Sequence, residues 1–259
     1  MTSARRHFAR WLAAIGAAIA VVVALDLLFP PPLSQTMETS PYAVDREGRM
    51  MHAFTTPEGR WRLRADLDAI DPLLVDRLLL IEDKRFHQHA GVDPAAFARA
   101  ATSAVRRGRI VSGASTITMQ TARLLEPRPR TIGAKIIEAA RALQIERRLS
   151  KREIIELYLT LAPYGGNIQG VRAASLLYFG KEPARLTDAE QALLIALPQA
   201  PEARRPDRRP GAARAARAHI LSRLEAAGAI SAQRQAEASH ASLPIARRPL
   251  PRHAYHAAD

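Results

Sequence analysis

Glu82 and Asp83 stand side by side at the end of an apolar run, Leu78-Leu-Leu-Ile-Glu-Asp-Lys-Arg-Phe-His-Gln-His-Ala-Gly91, and basic, aromatic and imidazole groups follow at once. Acidic groups at the C-terminal end of a helix oppose its macrodipole by roughly 0.3–1 kcal/mol, so local helix energetics do not select them. A carboxylate leaving an apolar wall can have its pKa raised by desolvation, which suits it to general-base work near neutral pH. The same residues also fit a solvated helix end paired with Lys84 or Arg85, a contact worth under about 1 kcal/mol. A second group is Ser112-Gly-Ala-Ser-Thr-Ile-Thr-Met-Gln120, rich in hydroxyls and running into an apolar helix. Its donors could cradle an anion or a sugar, or could simply cap that helix. Lys135 and Glu138 share one helical face at i, i+3, which offers either a cation beside a second carboxylate or a surface ion pair. His87 and His89 fall outside any H-E-x-x-H frame and have no evident third ligand, which argues against a zinc site.

These groups need helices to place them. Asp71-Pro72 starts a helix that delivers Glu82 at its end, and Asp93-Pro94 starts a second that ends near Gly108. Thr131 can cap a helix through Leu149, and Ser150-Lys-Arg-Glu153 and Thr187-Asp-Ala-Glu190 are capping boxes. Further helices are expected over 151–161, 170–179, 188–197, 211–227 and 232–240. Tyr42–Phe54 reads as two short strands about a Glu47-Gly48 turn, with Trp61–Leu63 as a third. The expected organisation is a basic tail at 1–10, a membrane anchor at 11–29, a proline-bearing linker at 30–41, a mainly α domain at 42–242 and a disordered tail at 243–259. The anchor expectation rests on Trp11–Phe29, whose length matches the ~20 residues needed to cross a ~30 Å hydrocarbon core. Arg5, Arg6 and Arg10 keep the N-terminus cytoplasmic, and Phe29-Pro-Pro-Pro32 offers no small-residue cleavage site, so the anchor is read as uncleaved.

The net charge is +13, nearly all from arginine, with Lys84, Lys135, Lys151 and Lys181 as the lysines. Such an excess favours anionic partners, although an arginine-rich composition can also reflect coding bias. No stacking aromatics interleave the basic stretches and the expected topology puts them outside the cytoplasm, so nucleic acid is not an expected partner. Cysteine is absent, which excludes disulfides and thiolate chemistry. No Walker loop, nucleophile elbow or dinucleotide fingerprint is present.

Five motifs in order, Glu82-Asp83-x-x-Phe86-x-x-His89-x-Gly91, Gly113-x-Ser115-Thr116-Ile117-Thr118-x-Gln120, Lys135-x-x-Glu138, Lys151-x-x-Ile154-x-x-x-Tyr158-Leu159 and Arg217-x-x-Ile220-Leu221, resemble those of glycosyltransferase family 51. That family is the peptidoglycan glycosyltransferase module of class A penicillin-binding proteins. The resemblance covers about 42–230, and Met119 with Ala162–Gly170 makes it most similar to the 1C branch. It implies a lysozyme-like helical domain with a small N-terminal β segment, held by its transmembrane helix on the outer face of the plasma membrane. It also implies polymerisation of lipid II into a β-1,4 glycan with inversion and release of the lipid pyrophosphate. By the same resemblance Glu82 is the general base and Glu138 the second essential carboxylate. Asp83, Phe86, His89, Gly113, Ser115, Thr116, Thr118, Gln120, Lys135, Lys151, Tyr158 and Arg217 are then substrate-binding or site-organising. A divalent cation, Mg2+ or Mn2+, could assist at the pyrophosphate. The implied partners are lipid II, the growing glycan strand, membrane lipid and a separate transpeptidase. Three departures stand out: Ala134 in place of an arginine, Thr160 in place of an asparagine, and no Ser-x-x-Lys transpeptidase segment before Asp259. The chain is accordingly read as a stand-alone polymerase or a truncated remnant. An inactive anchor that binds lipid II or wall-synthesis partners, and a lysozyme-like hydrolase, are the competing readings.

Overall fold

The computed structural model describes residues 26–33, 38–107 and 115–251, together with His7 and Ala24. Most of the span expected as a membrane anchor lies outside these residues, as do Gly113 and the final segment 252–259. Among the described residues no helix is long and apolar enough to cross a membrane.

The domain is mainly helical. Its helices are α1 (Pro72–Glu82), α2 (Pro94–Arg107), α3 (Ile117–Leu125), α4 (Ile132–Glu146), α5 (Lys151–Leu161), α6 (Val171–Phe179), α7 (Asp188–Ala196), α8 (Pro210–Ala226) and α9 (Ala232–His240). Their starts follow the expected chemistry. The Asp71 carboxylate accepts from the Leu73 N–H, and Pro72 takes the first helical position, where its missing donor costs nothing. Thr131 caps α4, while Ser150 and Thr187 form reciprocal capping boxes with Glu153 and Glu190. Helices α5, α7 and α8 and the aliphatic side of α1 enclose one core that includes Leu74, Leu78, Ile154, Leu159, Leu193 and Leu221.

Strands β1 (Tyr42–Val44) and β2 (Met50–Ala53) pair antiparallel, with the turn at Gly48 held by Asp45, whose Oδ1 accepts from the Glu47 and Arg49 N–H groups. The expected third strand lies apart from this pair. β3 (Trp61–Arg62) leaves this hairpin and runs parallel to β5 (Ile168–Gln169), itself antiparallel to β4 (Pro163–Gly165). Two contacts fix that choice: Trp61 N–H donates to Asn167 O at 2.9 Å, and Arg62 Nε donates to Gln169 Oε1 at 2.8 Å. The β4–β5 turn uses Gly165 and Gly166 at φ +99° and +58°, where a side chain would be strained.

Residues 243–251, the described part of the segment expected as a disordered tail, form a strap against the domain. Leu243 and Leu250 are buried, the Arg248 N–H donates to Leu177 O, and Arg247 reaches Asp207 and the carbonyl of Gly165. Two spaced leucines gain enough apolar burial, about 1.5–3 kcal/mol each when complete, to hold a short polar segment in place.

Candidate active site

The end of α1 opens on a cavity of about 250 Å³ whose lining includes Glu82, Asp83, Arg85, Arg99, Ser115 and Arg223. The two adjacent carboxylates face different surroundings. Glu82 is half-buried, and each of its oxygens accepts from a side-chain amide: Oε2 from Gln120 Nε2 at 3.1 Å and Oε1 from Gln199 Nε2 at 2.6 Å. Each amide is held from behind. The Tyr158 hydroxyl donates to Gln120 Oε1 at 3.5 Å, and Arg204 Nη1 donates to Gln199 Oε1 at 2.7 Å. Burial, reinforced by the nearby Glu82 charge, raises the Tyr158 hydroxyl well above its usual value of 10, so it stays a donor.

Asp83 is buried and faces inward. Its Oδ2 accepts the Ile117 N–H at 2.9 Å, and its Oδ1 accepts from His89 Nε2 at 2.9 Å. The other ring nitrogen of His89 accepts from the Gly91 N–H at 3.1 Å, which leaves Nε2 as the donor. One side chain therefore joins the end of α1, the loop after it and the start of α3, supplying a carboxylate to a helix N-terminus that favours negative charge. Thr116 completes the joint: its hydroxyl donates to Gly91 O at 2.5 Å and accepts from the Met119 N–H. Gly91 sits at φ +95°, and a Cβ there would lie 2.8 Å from the backbone C and O of Ala142 on α4. Both the φ value and the space require glycine.

Lys135 and Glu138 lie on α4. Lys135 Nζ donates to Ser115 Oγ, which ties α4 to the rim of the cavity. Burial lowers the Lys135 ammonium below its usual 10.5, with Glu138 acting in the opposite sense. Glu138 is itself buried.

The predicted site residues thus divide. Glu82, Asp83, Ser115 and Thr116 line the cavity, Gln120 touches Glu82, and Lys135 reaches Ser115. Phe86, His89, Thr118, Lys151 and Tyr158 are packed in the wall behind. Lys151 Nζ lies 4.3 Å from the Phe86 ring centroid and donates to Glu146 Oε1 and to His89 O, while Thr118 donates to the same Glu146 oxygen. Arg217 is elsewhere: it is buried and donates to the carbonyls of Ser239, Ala241 and Ser242 where α9 ends. Thr160 faces a different cavity and accepts from the Ala65 N–H, so the asparagine-to-threonine departure does not touch the Glu82 cleft.

Sequence reasoning missed Gln199, Arg204 and Arg223. Arg223 Nη2 donates to Ile81 O at 2.9 Å, bracing the last turn of α1. A signal for Gln199 was present in Leu193-Leu-Ile-Ala-Leu-Pro-Gln199, a second apolar run that ends on a polar group, as the run before Glu82 does.

Among the described residues no three His, Asp or Glu side chains converge to hold a metal ion. The cationic groups of the cleft are Lys84, Arg85, Arg99 and Arg223.

Residues 47–225 match the Transglycosylase family. Penicillin-binding protein 1C of Escherichia coli is 42% identical over 97% of this chain, which covers 31% of that protein. Penicillin-binding protein 1A of Aquifex aeolicus is 40% identical over 71% of the chain, covering 26% of its own length. The crystal structure of penicillin-binding protein 1A from Haemophilus influenzae aligns over 83% of this chain and 22% of its own, at 20% identity and a TM-score of 0.46. The chain thus spans less than a third of the length of these curated relatives.

Proposed function

Since the chain belongs to the Transglycosylase family, we propose that it is a peptidoglycan glycosyltransferase that polymerises lipid II, with Glu82 as general base. The observation that carries this reading is the setting of Glu82. It is a half-buried carboxylate lining a cavity that Lys84, Arg85, Arg99 and Arg223 also line, with both oxygens held by neutral amides. Amide donors orient a carboxylate without taking its negative charge, so it can still accept a proton.

In the proposed step an acceptor sugar hydroxyl gives its proton to Glu82 as its oxygen attacks the anomeric carbon of the donor. The bond from that carbon to the lipid pyrophosphate breaks, and the pyrophosphate leaves with the electron pair. A single displacement inverts the α-linked donor to a β-1,4 linkage. The leaving group is a weak base, so stabilising its charge matters more than protonating it. Lys84 and the arginines that line the cavity, Arg85 and Arg99 beside Asp93 and Arg223 on the Ile81 carbonyl, are the cations this reading assigns to that role. Glu138 beside Lys135 would keep that lysine charged and directed toward Ser115. A lysozyme-like ancestry of the fold belongs to the same reading.

Attachment to the outer face of the plasma membrane is part of the proposal, since lipid II is met at a bilayer surface. It is supported by the apolar run Trp11–Phe29 and by an unusual exposed apolar face. Ile132, Ile136 and Leu143 of α4 are exposed, as are Leu27, Leu28 and Phe29, and Arg141 and Gln144 bind the Phe29 carbonyl to α4.

The test is to incubate detergent-solubilised protein with labelled lipid II. Glycan polymer from the intact protein and none from Glu82→Gln is the expected result. Saturable lipid II binding without polymer would favour an inactive binding module, and soluble fragments released from purified sacculi would favour a hydrolase.

A further inference from the structure

We infer that Arg204 is a positioning residue for the Glu82 carboxylate, acting through Gln199. The inference rests on Glu82 being the base proposed above. A glutamine amide can turn over, presenting either its oxygen or its NH2 to a neighbour. Facing Glu82 it must present the NH2, and nothing about a carboxylate fixes the rest of an exposed side chain at a cleft mouth. Arg204 supplies that constraint. Its Nη1 donates at 2.7 Å to Gln199 Oε1 and at 2.7 Å to Ala196 O, the last residue of α7, so the amide oxygen is pinned toward a cation. The Gln199 NH2 is thereby directed to Glu82 Oε1 at 2.6 Å.

Arg204 is in turn held by a loop that is itself fixed. The Arg204 N–H donates to Ala200 O, and the Arg209 N–H donates to Arg205 O. The next residue, Arg205, is buried and paired with Asp207, which Arg247 of the terminal strap also reaches at 3.3 Å. Glu202 accepts the Gly166 N–H from the β4–β5 turn. The guanidinium therefore meets Gln199 already ordered, which is what a group that sets geometry requires. Gln120 performs the corresponding service on the other oxygen, backed by the Tyr158 hydroxyl. One side of Glu82 is thus set by the core and the other by the 200–209 loop.

The test is a double-mutant cycle on the full chain in detergent. Arg204→Gln and Gln199→Ala are each expected to lower kcat by about tenfold to a hundredfold, with KM for lipid II changed less than about twofold. The double variant should be no slower than Gln199→Ala alone, since Arg204 acts only through that amide. Arg204→Lys, which keeps the charge but offers no fork, should recover part of the loss and stands in should Arg204→Gln not fold. A substrate-free reading accompanies it. The side-chain NH2 resonances of Gln199, assigned with Gln199→Ala, should be widely split in the native protein and collapse in both Arg204→Gln and Glu82→Gln. Additive kcat losses, an effect confined to KM, or a Gln199 amide unchanged in Arg204→Gln would each overturn the inference. If the native protein makes no polymer, the proposed activity fails, while the amide resonances still decide whether Arg204 orders the pair.

Discussion

The neighbours Glu82 and Asp83 have the same chemistry and opposite settings, because the backbone turns at the end of α1 and sends one side chain into the cleft and the other into the wall. Glu82→Gln should abolish polymerisation while leaving the urea midpoint nearly unchanged, since the amide replaces a half-exposed group that other side chains only orient. Asp83→Asn should do the reverse in kind. It removes the charge from a buried acceptor of the Ile117 N–H and of His89, and should cost about 2 kcal/mol by urea unfolding. The adjacent carboxylates and the motif spacing marked this stretch in the sequence, but not which carboxylate would face solvent. Nor could the sequence show that Phe86, Thr118 and Tyr158 would be buried behind the cleft, because residues of a site and of its supporting wall recur together in the same motifs. Arg217 illustrates the same limit. Its place among apolar residues of α8 was legible, whereas the three carbonyls it binds belong to the end of α9 and beyond, contacts that only the folded chain creates.

Elements were the most legible scale, because their signals are local. Caps at Asp71, Thr131, Ser150 and Thr187 and apolar periodicity mark the helices without reference to the rest of the chain. The pairing of strand β3 was not legible for the opposite reason: a two-residue strand has no periodicity, and its partner lies more than a hundred residues further on. Contacts between elements give two predictions. Gly91→Ala would place a methyl 2.8 Å from the Ala142 backbone at a φ of +95°, and should destabilise the domain by about 2–3 kcal/mol, read as a lowered thermal midpoint. The second concerns acid. At Asp188 burial works against ionisation, but hydrogen bonds from Arg234 and Arg77 outweigh it, and the carboxyl lies below its ordinary value of 3.8. A folded-state value below the unfolded one gives stability that is complete above the unfolded value and lost as pH falls through the folded one. Urea midpoints should therefore drop below about pH 4, and Asp188→Asn should be less stable at neutral pH with a shallower acid limb.

At the scale of the whole molecule, α4 carries exposed Ile132 and Ile136 and binds the Phe29 carbonyl through Arg141 and Gln144, and the absence of cysteine allows this helix to be probed directly. A nitroxide placed by Ile136→Cys should become more accessible to oxygen than to a polar nickel chelate when the protein is reconstituted in vesicles. Unchanged accessibility would show that this face stays in water. Residues 243–251 hold to the domain despite a composition rich in proline and arginine, because Leu243 and Leu250 are buried in its core. The strap and the long reach of the Glu82 contacts also bear on when the domain can work. Glu82 waits for Gln199, 117 residues later, its helix for Arg223, and the loop bearing Arg204 for Arg247 near the end of the described chain. A chain delivered across a membrane from its N-terminus would carry Glu82 outside long before those partners emerge. Under the proposed activity and topology, assembly of the reactive geometry follows export of these later segments, so a chain interrupted before them would be silent toward lipid-linked sugars.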